Sequence, residues 1–125
     1  MKILGFDPVG EFNARTKKAA DVLAAVPEDA DAKTVAQALR AAADAIVGGA
    51  EWSWDLTDEF EEVARTLRDR LGLRSNWKSR AWRLHDSEYV TTYFVGRDAV
   101  EMRLRHNSWG NVVEIKITVR RGVAS

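Results

Sequence analysis

The spacing of hydrophobic residues changes once along this chain, and that change constrains the fold more than any other feature. Up to Gly72 the apolar residues recur at steps of three and four, which is typical of amphipathic helices. From Ala81 onward they alternate with polar residues, which is typical of strands with one buried face. The sequence therefore predicts an α+β fold in which about three N-terminal helices pack on one face of a C-terminal four-stranded antiparallel β-meander.

Glycines and capping residues place the ends of the second and third predicted helices, within the helical half at about 8–72. The second helix ends at Gly48-Gly49, where glycine can adopt the left-handed conformation that closes a helix. The third begins with Thr57 as its N-cap and ends at Gly72. Acidic residues in its first turns and arginines in its last turns complement the helix dipole.

The first residues resemble those of a nuclease family. Ile3-Leu4-Gly5-Phe6-Asp7-Pro8 is similar to the start of Holliday-junction resolvases of the RNase H superfamily, and the resemblance would make Asp7 a metal ligand. It covers six residues, and a helical pattern follows where that family continues with a hairpin of strands. No function is therefore carried over. We interpret Ile3, Leu4 and Phe6 as a short strand or an apolar anchor. Asp7, or alternatively Asn13, caps a helix that lies within 12–26.

Turn residues divide the C-terminal part, about 80–121, into four predicted strands. Asp86-Ser87 forms the first turn, Gly96-Arg97 a two-residue type II′ hairpin turn, and 107–110 a longer loop. Pairing Leu104 with Val113, and Met102 with Ile115, opposes unlike charges, with Arg103 beside Glu114, so we expect that register in the last hairpin. The helix-facing side then carries Trp82, Leu84, Tyr89, Thr91, Tyr93, Val100, Met102, Leu104, Val113, Ile115, Ile117 and Val119.

Length and composition bound the remaining possibilities. A chain of 125 residues fits one domain, 1–125, with one core. We expect a cytoplasmic protein without a membrane partner, because no apolar run approaches the roughly 18 residues of a membrane span and no signal peptide is evident. The absence of cysteine removes disulfides, thiolate metal sites and cysteine nucleophiles. We assign no catalytic residue, no metal and no cofactor, because no spacing typical of such sites is found.

The net charge is zero but unevenly distributed. Residues 1–62 carry six Lys/Arg against thirteen Asp/Glu, a balance of −7, and residues 63–125 carry thirteen against six, a balance of +7. An acidic helical half packed beside a basic sheet half would cancel much of this field. The alternative is a basic face that turns toward an acidic partner.

Exposed aromatic and basic positions supply the candidate binding residues. Trp109 lies in a hairpin loop beside Gly110, where an indole is difficult to bury, and is the leading candidate for an interface anchor. The stretch Arg74–Arg83 interleaves cations with indoles, a mixture that can contact phosphates and stack on bases. The candidates are Trp109, Phe94, Arg103, Arg105, Arg83, Arg80, Lys78 and Trp77.

Three functions are compatible with these residues. The leading one is a small non-enzymatic module that engages another macromolecule, foremost a protein or a second copy of itself, through the outer sheet face and the Trp109 loop. Its composition suggests a GC-rich genome and suits a phage or mobile-element accessory protein. The alternatives are a nucleic-acid-binding protein that uses Arg74–Arg83, and a metal-independent ribonuclease-type toxin that uses His85 or His106.

Overall fold

The computed structural model describes residues 8–49, 51–83, 86–107, 109 and 111–122, and only the backbone of 8–13, 82, 83 and 113. Its elements are α1 (Pro8–Ala24), α2 (Ala32–Val47), α3 (Trp54–Leu71), β1 (Arg74–Arg83), β2 (Asp86–Val95), β3 (Asp98–His106) and β4 (Val112–Arg120). The four strands form one antiparallel sheet in the order β1-β2-β3-β4. The predicted α+β fold, with three helices before an antiparallel meander, is confirmed. The short strand predicted at 3–6 lies outside the described residues.

The first two helices show how local sequence sets their ends. α1 starts at Pro8, so Asn13 lies within the helix and the alternative that it is the cap is wrong. Asp7, the preferred cap, lies outside the described residues. Asp31 caps α2, because its carboxylate accepts a hydrogen bond of 2.8 Å from the backbone N–H of Thr34. Gly48 closes α2 at a φ of 58°, as predicted, and an added Cβ there would lie 2.7 Å from Nη1 of Arg15.

The start of α3 was predicted wrongly, whereas its end at Gly72 is confirmed with a φ of 67°. Ser53, not Thr57, is the N-cap, and its Oγ accepts a hydrogen bond from the N–H of Leu56 at 3.3 Å. Thr57 lies one turn inside the helix with 1% of its surface exposed. The helix begins earlier because Ser53 has extended backbone and supplies its own capping oxygen.

α2 lies at the centre of the core, since it packs on α1 and α3 and also against β3 and β4. Leu39 in its middle is fully buried. Of the predicted helix-facing sheet residues, Tyr93, Val100, Met102, Leu104 and Ile117 are buried and Tyr89, Thr91, Ile115 and Val119 are half-buried. Trp82, Leu84 and Val113 lie outside the described side chains. No helix of the described chain is long and apolar enough to cross a bilayer.

The first hairpin corrects two further predictions. β1 begins at Arg74, six residues before the predicted start of the meander at about residue 80. Ser87 pairs with Ala81 and Asp86 with Arg83, so the predicted turn residues belong to β2. The next turn is confirmed as a two-residue connection, because Val95 pairs with Asp98 and Gly96 has the positive φ of 61° that such a turn requires.

The register of the last hairpin differs from the prediction by two residues. Leu104 pairs with Ile115, Met102 with Ile117, and Arg103 with Lys116. The expected pairing of Arg103 with Glu114 is therefore wrong. The like charges of Arg103 and Lys116 are tolerated because Arg103 forms ion pairs with two glutamates on the same face, Glu101 at 3.2 Å and Glu88 at 3.8 Å.

Candidate binding surfaces

The outer face of the sheet carries a row of alternating charges, one from each strand. Arg80, Glu88, Arg105 and Glu114 follow one another across β1 to β4 by the observed pairing. The contacts from Arg80 to Glu88, from Glu88 to Arg105 and from Arg105 to Glu114 are each 2.7 Å. We call these four residues the charge row. Its cations are engaged within the protein, and the row stabilises the outer face.

Glu88 is the most enclosed member of the charge row, with a side chain 2% exposed. Burial alone would raise the pKa of Glu88, but hydrogen bonds from Arg105 and Arg80 outweigh that effect and hold the pKa below its usual range. Arg103 and Arg105, two predicted contact residues, are 25% and 21% exposed and paired with glutamates. The expected cationic contact surface is thus largely neutralised by the glutamates of the same face.

The remaining outer-face candidates are scattered. Lys78 lies at one end of the cross-strand row next to the charge row and is exposed. Lys116, which was not a candidate, lies at the other end of that row and is also exposed. Phe94 is half-buried, with the guanidinium of Arg74 5.2 Å from its ring centroid. The side chain of Arg83, another candidate, lies outside the described ones.

The stretch Arg74–Arg83 is a strand, so successive side chains point to opposite faces of the sheet. The cations and the indole that the sequence suggested as one binding site are therefore on different faces. Lys78 pairs with Val90 on the outer face, whereas Trp77 pairs with Thr91 on the helix-facing side. Arg80 shares the outer face with Lys78. The indole of Trp77 and these cations therefore do not share the single groove that stacking bases beside their phosphates would need.

Four aromatic rings meet on the helix-facing side at one end of the sheet. The ring of Tyr89 stacks on Trp77 at 5.6 Å and on His106 at 5.1 Å between centroids. Trp54, near the start of α3, meets the edge of Tyr89 at 6.1 Å and lies 5.4 Å from His106. We call these four residues the aromatic corner. Trp77 and Trp54 remain 61% and 39% exposed, so the corner presents indole to solvent.

Trp109 extends the same end of the molecule, since its loop follows directly after His106. It is 83% exposed. The side-chain oxygen of Asn107 accepts hydrogen bonds from the backbone N–H groups of Trp109 at 3.0 Å and Asn111 at 3.1 Å. Asn107 thus binds the backbone at Trp109 and Asn111, while the indole of Trp109 stays in solvent.

A cleft of about 410 Å³ lies between α3 and the sheet, next to the aromatic corner. It forms because α2 covers β3 and β4, whereas α3 packs mainly on α1 and α2. Its apolar and aromatic lining includes Phe60, Ala64, Trp77, Tyr89, Tyr93, Met102, Leu104 and Ile115. Sequence reasoning missed this cleft, because the helix-facing side was expected to be covered throughout.

The cleft also has a polar lining, which includes three arginines, Arg65, Arg68 and Arg103, beside hydroxyl and carboxyl groups. Thr57 Oγ1 is buried and has no hydrogen-bond partner among the described residues. Burial raises the pKa of Tyr93 to about 12, so its phenol stays neutral. The pKa of Glu61 is raised, mainly because its carboxyl group is partly buried and also because the carboxylate of Asp58 is close. An apolar group that also carries polar atoms would fit such a lining.

The two histidines were the candidates for ribonuclease chemistry. His106 packs against the rings of Tyr89 and Trp54, and its Nδ1 lies 3.2 Å from the carbonyl oxygen of Asn107. Its Nε2 is buried and has no hydrogen-bond partner among the described residues. It lies on the opposite face of β3 from the neighbouring Arg105, and His85 lies outside the described residues. Within the described part of the chain, no group of three acidic or histidine side chains is placed to hold a metal ion.

Comparison of the chain with protein-family models, curated proteins and solved structures finds no match. The candidate site consequently depends on the geometry of the aromatic corner, the cleft and the Trp109 loop.

Proposed function

We propose that this protein is a small non-enzymatic binding module that engages another protein through the aromatic corner and the Trp109 loop. One observation carries the proposal: three tryptophans, Trp54, Trp77 and Trp109, stay 39%, 61% and 83% exposed at one end of the molecule. Exposed indole is costly without a partner, and tryptophan is among the residues that contribute most to protein interfaces. We place this module in the cytoplasm, because the chain lacks cysteine.

The outer sheet face supports the proposal less well than the aromatic corner does. Its arginines already bind Glu88, Glu101 and Glu114, so a partner would have to displace internal ion pairs. Nucleic acid is the second candidate, favoured by the exposed Lys78 and Lys116. It is disfavoured by the separation of those lysines from Trp77. Binding of RNA or DNA near about 50 mM salt that weakens steeply as salt rises would support this candidate instead.

Trp77→Ala is expected to weaken partner binding about 30-fold or more, because the substitution removes a half-exposed ring stacked on Tyr89. The measurement is capture of interacting proteins from the producing cell with immobilised wild-type and variant protein, followed by titration of the captured partner. Circular dichroism melting verifies that the variant stays folded.

Phe94→Ala is the matched control, because Phe94 is an aromatic residue of β2, the strand next to β1, and lies on the outer face rather than the helix-facing side. It should leave the affinity unchanged. If Phe94→Ala abolished capture while Trp77→Ala had no effect, the binding surface would be the outer face. A wild-type protein that captures nothing would contradict the proposed function itself.

A further inference from the structure

The two edge strands of the sheet, β1 and β4, differ in how far the rest of the protein covers their outer backbone groups. At the β4 edge, Arg40 of α2 donates hydrogen bonds from Nε and Nη2 to the carbonyl oxygen of Ile117, at 3.1 and 2.8 Å. α2 also packs directly against β4. The protein's own helix thereby occupies part of this edge, which is a common protection against unwanted strand pairing.

The β1 edge has no comparable protection in the described part of the chain. β1 pairs with β2 on one side, and no backbone hydrogen bond from a described residue reaches its other side. Every residue from Arg74 to Ala81 is exposed. An unpaired strand of this length presents a row of N–H and C=O groups on which another extended segment can form a ladder.

The side chains of β1 define what kind of strand would fit. Arg74, Lys78 and Arg80 point to the outer face, and Lys78 has no ion-pair partner among the described residues. Trp77 points to the other face and lines the cleft. A strand beside β1 would alternate in the same way, with every second side chain near these cations and the others near the indole and the cleft.

A second copy of this chain fits poorly at the same place. Two β1 strands paired across a two-fold axis would bring the arginines and the lysine of one copy beside those of the other. Like charges at cross-strand positions destabilise such a pair. The charges of β1 favour an acidic occupant.

We propose that an extended segment of a partner protein, acidic at every second residue and apolar or aromatic at the others, adds to β1 as a fifth strand. Its acidic side chains lie on the outer-face side of β1 and pair with Lys78, whereas Arg80 stays paired with Glu88. Its apolar side chains contact Trp77 and enter the mouth of the cleft. The inference deepens the proposed function by naming the chemistry of the partner.

The test uses synthetic peptides of about ten residues in which glutamate alternates with valine, leucine and phenylalanine. Two further sets serve as comparisons. In the first, the same residues are arranged with the spacing of an amphipathic helix. In the second, lysine replaces every glutamate of the alternating peptides. Binding is measured by titration, and its position by amide hydrogen exchange. The expected result is binding of the alternating acidic set alone, with slowed exchange of amides within 74–81.

Lys78→Glu is expected to weaken binding of the acidic peptides about tenfold. Lys116→Glu is the matched control, because Lys116 is an exposed lysine on the same outer face and in the same cross-strand row, at the opposite edge. It should change the affinity less than about twofold. Equal losses in the two variants would show a general charge effect and overturn the inference.

The inference is also overturned if the acidic peptides do not bind at about 1 mM, or if they bind without protecting β1. These outcomes are distinct from failure of the proposed function. Should the peptides fail while Trp77-dependent capture of a protein succeeds, the partner binds the aromatic corner without adding a strand.

Discussion

Glu88→Gln is expected to lower the free energy of unfolding by about 2 to 3 kcal/mol at pH 7. The carboxylate of Glu88 binds Arg80 with one oxygen and Arg105 with the other, each at 2.7 Å. A glutamine amide offers one acceptor oxygen and turns an NH2 group toward the second guanidinium. The cost stays below that of a fully buried pair because Arg80 is 48% exposed and can be solvated by water.

The same substitution should change how stability depends on pH. The pKa of Glu88 is lowered in the folded protein from its usual value of 4.5, so the ionised carboxylate stabilises the fold above that pH. This contribution is lost as the pH falls from 4.5 through the folded-state pKa. Urea unfolding at several pH values should therefore show a shallower loss of stability in acid for Glu88→Gln than for the wild type.

Glu114→Gln is the matched control, because Glu114 belongs to the charge row but is 45% exposed. It should cost less than about 1 kcal/mol. Equal effects of the two substitutions, or an unchanged acid dependence in Glu88→Gln, would show that the charge row does not hold the sheet together as described.

Leu39→Ala is expected to lower the free energy of unfolding by about 3 kcal/mol and the melting temperature on the order of 10 °C. Leu39 is fully buried in the middle of α2, the helix that contacts both other helices and the sheet. Truncation leaves a cavity that cannot close easily, because the other helices and the sheet hold α2 in place. Such a loss is a large share of the roughly 5 to 15 kcal/mol that stabilise a domain.

Gln37→Ala is the control for this prediction, since Gln37 lies on the exposed side of α2. Its effect on thermal unfolding should stay within about 0.5 kcal/mol. A small effect of Leu39→Ala would mean that the core can collapse around the truncated side chain, contrary to the central position of α2.

The sequence predicted helices and strands well where one face is buried. The apolar spacing located α2 and the strands from β2 to β4, because burial imposes that spacing, and Gly72 located the end of α3. β1 was missed over Arg74–Arg80 because an edge strand exposed on both faces carries no alternation of apolar residues. The cap of α3 was misplaced because Ser53 and Thr57 are both good capping residues, and tertiary burial of Thr57 decides between them.

The register error has a similar origin. The prediction compared charges between β3 and β4 alone, and on that basis Arg103 beside Lys116 was unfavourable. In the folded sheet Glu88 of β2 lies on the same face and contacts both Arg103 and Arg105. Pairwise reasoning about two strands cannot include a carboxylate from a third.

Trp109 and Trp77 are 83% and 61% exposed, and their role as binding residues stays a prediction. The aromatic corner could not be found from sequence, because it joins the start of α3 to three strands that are distant along the chain. A partial signal was present: Trp77, Tyr89 and His106 fall on one face once β1 is extended to Arg74. The cleft depends on how α3 packs on the other helices, which no local pattern encodes.

The central claim is that a partner protein binds the helix-facing side of the sheet at the aromatic corner. The most direct test is site-specific photo-crosslinking in the producing cell. A photoreactive phenylalanine analogue is placed at Ser79, on the helix-facing side of β1, or at Lys116, on the outer face of β4. Both positions are exposed. We expect a partner protein to be crosslinked from Ser79 and not from Lys116. Crosslinks from Lys116 alone, or from neither position, would contradict this account.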